Sequence, residues 1–256
     1  MAQCKWCGKS GFFLSINEIG LCSICTSVAQ PFSNRVVEIV NTSQDIINKS
    51  NNLKTQISRC DVVITRLNDL LKYESRGVPI INPLPSELII RFKKQKTELI
   101  ISHIITEIER AKDKAEHSAT INSGINVFNK ASNIIIEYSD LIEDKNILKT
   151  LEETINDNIQ RFKIKRYIED AKKYEFKENT KKAYDLYMEA LFILEKEDEG
   201  VNTLKNEIKT KVEMLKNKEV PKPKSKKQNN ISHCVSCGNE LKEGQKFCTK
   251  CGSKYP

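Results

Sequence analysis

The sequence predicts a mainly α fold, with a helical hairpin and a helical-repeat-like body flanked by two small cysteine-rich domains. Three observations carry that reading. Eight of the nine cysteines form four Cys-x-x-Cys pairs, two toward each end of the 256-residue chain. Between them, apolar residues recur at helical spacing over long stretches. Nine glycines and seven prolines are few for this length, and 30% of the residues are charged, a composition that suits solvated helices better than a turn-rich β fold.

The first domain, residues 1–30, opens on "MAQCKWCG", and no apolar segment precedes its first cysteine. That start predicts a cytoplasmic chain, and in a reducing compartment tight cysteine pairs bind metal or do chemistry more often than they form disulfides. A thioredoxin-like redox pair would need a βαβ pattern around it, and neither end of the chain has one. Cys4, Cys7, Cys22 and Cys25 instead supply four soft thiolates from two short turns, the set that tetrahedral zinc takes, and they leave no open position for a catalytic water. Iron and redox chemistry are the alternatives left. Between the pairs, the stretch around Phe13 and Ser15 alternates as a β-hairpin should, and a helix is expected after Cys25. With knuckle, hairpin and helix in that order, the domain resembles a treble-clef finger.

Residues 31–118 are expected to form a long helical hairpin. Its first arm carries a heptad-like series at Ile39, Ser43, Ile46, Ser50, Leu53, Ile57, Cys60, Ile64, Leu67 and Leu71. Val36, Val40, Ile47, Val63 and Leu70 widen this stripe, which favours burial in a bundle over a two-stranded coil. Cys60 then reads as a core residue. The three prolines and the glycine of "RGVPIINPLPS" stop the arm, and Ser86 is expected to cap the next helix. That second arm, about 87–117, is apolar at Leu88, Ile89, Phe92, Leu99, Ile100, Ile104 and Ile108. His103 lies on this face and reads as a core or boundary histidine, not a ligand.

Residues 119–217 read as shorter helices. Tyr167, Ala171, Tyr174, Ala183, Tyr187 and Ala190 alternate small and aromatic positions across two of them. Over about 161–217 this spacing resembles a single tetratricopeptide repeat, and with the helix at about 201–217 it also resembles a three-helix MIT domain. Either resemblance implies that the alanines sit where helices cross closely. Asp170 stands where an apolar residue is usual in the repeat, and Glu195 where proline is usual.

A proline–lysine linker is expected over 218–231. The final domain, 232–256, contains "HCVSCGNELKEGQKFCTKCGSKYP", with ligand candidates Cys234, Cys237, Cys248 and Cys251. Gly238 and Gly252 each follow the second cysteine of a pair. Residues 233–256 resemble the short C-terminal zinc ribbons of bacterial and archaeal proteins, and that resemblance implies zinc. Two Zn2+ ions per chain are therefore expected. The formal charge of +8 is concentrated at this end: residues 216–256 carry ten lysines against three acids.

No phosphate-cradling glycine loop, nucleophile elbow or histidine–carboxylate metal set occurs, so no enzymatic activity is expected. The chain reads as a zinc-binding adaptor that meets a protein partner through its helical body and fingers. The alternative is a nucleic-acid-associated zinc-ribbon protein that uses the basic tail. No membrane contact is expected, since no apolar run approaches a spanning length. The oligomeric state is not encoded in any feature of the sequence.

Overall fold

The computed structural model describes residues 2–196, 202–219, 232–233, 240–241, 247 and 250–254. The structure is mostly helical, as the sequence predicts, and it divides into two compact units, residues 1–166 and 167–256.

In the first unit, helix α1 (Ser23–Lys49) packs on α2 (Leu53–Asn68), α2 packs on α4 (Pro85–Glu116), and α4 packs on α5 (Ile121–Tyr138). A single helical turn, α3 (Leu71–Glu74), joins α2 to the proline-rich connection, and α6 begins at Lys145 and ends at Phe176. The first arm of the expected hairpin is therefore two helices, not one. The break falls at residues 50–52, where the heptad pattern runs on but polar side chains satisfy the backbone better than another turn would. Asn52 caps α2 by accepting from the Thr55 N–H at 3.0 Å, and the Gln56 amide donates to the carbonyls of Ile47 and Ser50 at 3.0 and 2.8 Å. Helix ends left without such partners are costly.

The buried stripe of α1 keeps Val36, Ser43 and Ile47 of the expected one and is centred to one side of its heptad positions. Ala29, Ser33, Val36, Ser43 and Ile47 are buried, whereas Ile39 and Ile46 are only partly so. Cys60 is wholly buried, as expected of a core residue. His103 is half-buried at the edge of the core, in an edge-on contact with the Tyr138 ring at 6.2 Å.

The second arm starts two residues before its expected position. Pro85 takes the first helical position, where its missing N–H is no loss, and Ser86 does not cap. Instead the Ser86 N–H donates to the Glu74 carboxylate at 3.0 Å, and its hydroxyl donates to the same group. A carboxylate at a helix N-terminus is electrostatically favourable. Two core clusters result. One joins the cysteine-rich N-terminus to α1, α2, the 70–81 connection and the start of α4. The other gathers the rest of α4 with α5 and α6. Gly124 in α5 lets α6 approach, because a Cβ there would lie 2.2 Å from the Phe162 ring.

In the second unit, α7 (Thr180–Leu194) packs on α8 (Asn202–Glu219). Asn179 caps α7 by accepting from the Lys182 N–H at 3.2 Å. Ala171, Ala183, Ala190 and Tyr187 are buried, while Tyr167 and Tyr174 are half-exposed. The Glu175 carboxylate accepts from the Tyr187 hydroxyl at 3.1 Å and pairs with Lys211 at 3.6 Å, tying three helices together. Burial, and then the Glu175 charge, push the Tyr187 phenol up to about 12. Strands β1 (Ser232–His233) and β2 (Glu240–Leu241) pair antiparallel. The linker expected at 218–231 lies outside the described residues beyond Glu219. Among the described residues, no helix is long and apolar enough to cross a membrane.

Candidate metal centre

The first pair of cysteines sits in a tight knuckle. Gln3 and Ser10 bridge across it, the Cys4 N–H donates to the Lys9 carbonyl at 2.9 Å, and the Gly8 N–H donates to the Cys4 carbonyl at 2.9 Å. Gly8 turns the chain at φ +70°, a conformation that costs a side-chain-bearing residue energy. The second pair is presented by a helix. Cys22 bridges Ile16 and occupies the position before α1, and Cys25 lies in its first turn. The partial positive charge of a helix N-terminus favours thiolate there.

Two elements hold the pairs together. Gly20, at φ +90°, makes the return turn, with its N–H donating to the Asn17 carbonyl at 2.9 Å. The Asn17 side chain accepts from the Leu21 N–H at 2.8 Å and donates to Thr26 Oγ1 at 3.0 Å. Asn17 thus locks the turn onto the first coil of α1, a role that the sequence reading missed. Order along the chain is knuckle, turn and helix. The extended hairpin expected around Phe13 does not form among these residues. Pairing is confined to single bridges beside the cysteines, and Phe12 and Phe13 stand in solvent, 85% and 102% exposed.

The four sulfurs of Cys4, Cys7, Cys22 and Cys25 all lie within 4.8 Å of one another. Cys7 Sγ and Cys22 Sγ are 3.9 Å apart, close to the edge of about 3.8 Å that follows from a tetrahedron with metal–sulfur bonds near 2.3 Å. Donor type, number and spacing therefore fit zinc. Cys4 and Cys22 are buried, Cys25 is half-buried and Cys7 is exposed. The Cys22 N–H points at Cys4 Sγ, 3.4 Å away. Burial raises the Cys4 thiol, but backbone N–H donors from Cys7, Cys22 and Trp6 outweigh it and bring it down to about 6. Burial, and then the neighbouring sulfurs, push Cys25 up to about 12. Four crowded thiols give up the first proton readily and hold the last. A cation among them reverses that, since every ligand thiol binds as thiolate.

At the other end of the chain, Cys234, Cys237 and Cys248 lie outside the described residues, and Cys251 is exposed. The described residues that flank these cysteines nevertheless repeat the bridge positions seen around Cys4. Gln3 and Ser10 are the positions one before and six after Cys4. His233 pairs with Glu240, and Phe247 with Lys254, at those same offsets from Cys234 and Cys248. Gly252 turns at φ +74°, like Gly8. Three of the four Cys-x-x-Cys pairs thus share one bridge register, and the fourth is carried on a helix.

Residues 233–254 match the family model of a zinc-ribbon domain. No curated protein and no solved structure matches the chain. The chain is a protein with zinc-binding domains, a four-cysteine cluster at one end and a zinc ribbon at the other, and a helical body between them in sequence.

Proposed function

We propose that this chain is a non-catalytic, cytoplasmic adaptor that binds two zinc ions and engages a protein partner through its fingers and helical body. The observation that carries the reading is the pair Phe12 and Phe13. Two adjacent aromatic side chains stand free in solvent on a loop whose ends are fixed by four clustered cysteines. Exposed aromatics on a rigid support are the kind of residue that anchors protein interfaces. Ile24 and Val28, one turn apart on α1, are each about two-thirds exposed as well. Around 161–217, the burial of Ala171, Ala183, Ala190 and Tyr187 supports the tetratricopeptide-like or MIT-like reading of the body.

The alternative is a nucleic-acid-associated ribbon protein, favoured by the ten lysines against three acids in residues 216–256. Aromatic residues suited to stacking are sparse there, Phe247 and Tyr255 being the two available.

The deciding experiment is affinity capture from the native cell with four chains: full-length, Phe12→Ser/Phe13→Ser, ribbon-deleted, and Lys222, Lys224, Lys226 and Lys227 changed to Gln. The adaptor reading expects protein capture to survive lysine neutralisation and to fall sharply in the Phe12/Phe13 variant. Capture lost with the lysines, together with nucleic-acid binding that weakens steeply with salt, would favour the alternative.

A further inference from the structure

The residues between the first two ligands do more than space them. Lys5 and Trp6 grip a turn some seventy residues away. The Lys5 ammonium donates to the Gly77 carbonyl at 2.8 Å. The Trp6 ring stacks on Tyr73 with centroids 4.1 Å apart, and the Arg76 guanidinium also lies over the Trp6 ring, 4.3 Å from its centroid. Arg76 also donates to the Trp6 carbonyl at 2.5 Å.

That last contact reaches the backbone of a ligand. The Trp6 carbonyl belongs to the same peptide group as the N–H of Cys7, one of the four clustered cysteines. Arg76 therefore fixes the peptide plane that leads into Cys7 without touching a sulfur. The turn is not peripheral to the body either. Glu74, within it, holds the first turn of α4 through Ser86.

We propose that Lys5, Trp6 and Arg76 are positioning residues for the N-terminal metal site, so that zinc binding and docking of the Tyr73–Val78 turn form one coupled equilibrium. The proposal rests on the reading of Cys4, Cys7, Cys22 and Cys25 as zinc ligands. Coupling of this kind is reciprocal: whatever affinity the docked turn lends the site, zinc returns as stability of the turn.

The test uses the full chain carrying Cys234→Ser and Cys237→Ser, so that only the first site loads. Zinc affinity is measured by competition with a chromophoric chelator. Partners that orient metal ligands typically contribute about 10- to 100-fold in affinity, and Arg76→Ala is expected to lose that much. Arg76→Lys, which keeps the charge and a donor but not the planar fork, is expected to fall between. In parallel, hydrogen exchange follows the amides of Gly77 and Val78, which donate to Glu74 and Tyr73 at 2.8 and 3.0 Å. Chelation of the unaltered first site should strip their protection. Unchanged zinc affinity in a folded Arg76→Ala chain, or protection indifferent to zinc, overturns the coupling. A merely structural role would lower stability and leave affinity alone. If Arg76→Ala does not fold, Lys5→Ala is held to the same two outcomes. A parent chain that takes up no zinc overturns the ligand assignment itself, and the coupling with it.

Discussion

Three alanine substitutions at glycines of the N-terminal finger separate backbone strain from crowding. At Gly11, φ is not positive and a Cβ would meet nothing within 4 Å. At Gly8, φ is +70° and the space is equally open. At Gly20, φ is +90° and a Cβ would lie 2.5 Å from Lys5 Cδ, 2.8 Å from Cε and 3.0 Å from Cγ. Gly→Ala alone stabilises by about 0.4–1 kcal/mol, because the unfolded chain loses freedom. Left-handed backbone costs a residue with a Cβ about 1–2 kcal/mol. At Gly20 the Lys5 chain must also swing aside and release the Gly77 carbonyl, a bond worth about 0.5–1.5 kcal/mol. The expected order is Gly11→Ala neutral or slightly stabilising, Gly8→Ala mildly destabilising, and Gly20→Ala destabilising by about 0.5–3 kcal/mol. For a unit of this size that corresponds to a melting temperature lowered by about 1–12 °C. Thermal unfolding of the zinc-loaded chains, followed by circular dichroism, reads the series. If Gly20→Ala melts with Gly11→Ala, the placement of Lys5 across the return turn is wrong.

In the second unit, Ala183→Leu and Ala190→Leu should each cost about 1–3 kcal/mol, because both positions are fully buried; Ala2→Leu, on an exposed residue, should be silent in the same melting experiment. The Tyr187 phenol, raised from its ordinary value near 10 to about 12, favours the folded state below pH 10, and that contribution should be lost as pH rises from about 10 to 12. Tyr187→Phe should abolish this alkaline loss in denaturation curves at stepped pH. Loading zinc on the first site should release protons at neutral pH, since thiols such as Cys25 at about 12 must ionise to bind. Calorimetry in buffers of different ionisation enthalpy measures the number released, and a value of zero would contradict a four-thiolate site.

Much of the candidate site is legible in the residues themselves. Cys4, Cys7, Cys22 and Cys25 announce themselves because two-residue spacing is what a knuckle or a helical turn needs to aim two sulfurs at one point. Asn52 before Leu53 is a capping signal that the sequence does carry, but the heptad pattern running through Ser50 obscures it, since both codes are local and compete for the same few residues. Around Phe13, alternation suggests a half-buried strand. It fails there because a strand needs a partner, and the chain spends its pairing at single bridges beside the cysteines.

The sequence by itself determined the elements that depend on near neighbours: the N-terminal four-cysteine cluster, the helical character of the body, the proline-rich stop after Gly77, and the alanines buried at 183 and 190. Only the tertiary structure decided which residues of α1 turn furthest inward, that Glu74 serves the start of α4, and that Trp6 meets both Tyr73 and Arg76. The physical reason is range. Capping, turns and knuckles are fixed by atoms a few residues apart, so residue type and spacing encode them. Stacking and hydrogen bonding between residues seventy positions apart depend on how α1 and α2 pack, a sum of many small contacts that no short stretch of sequence contains.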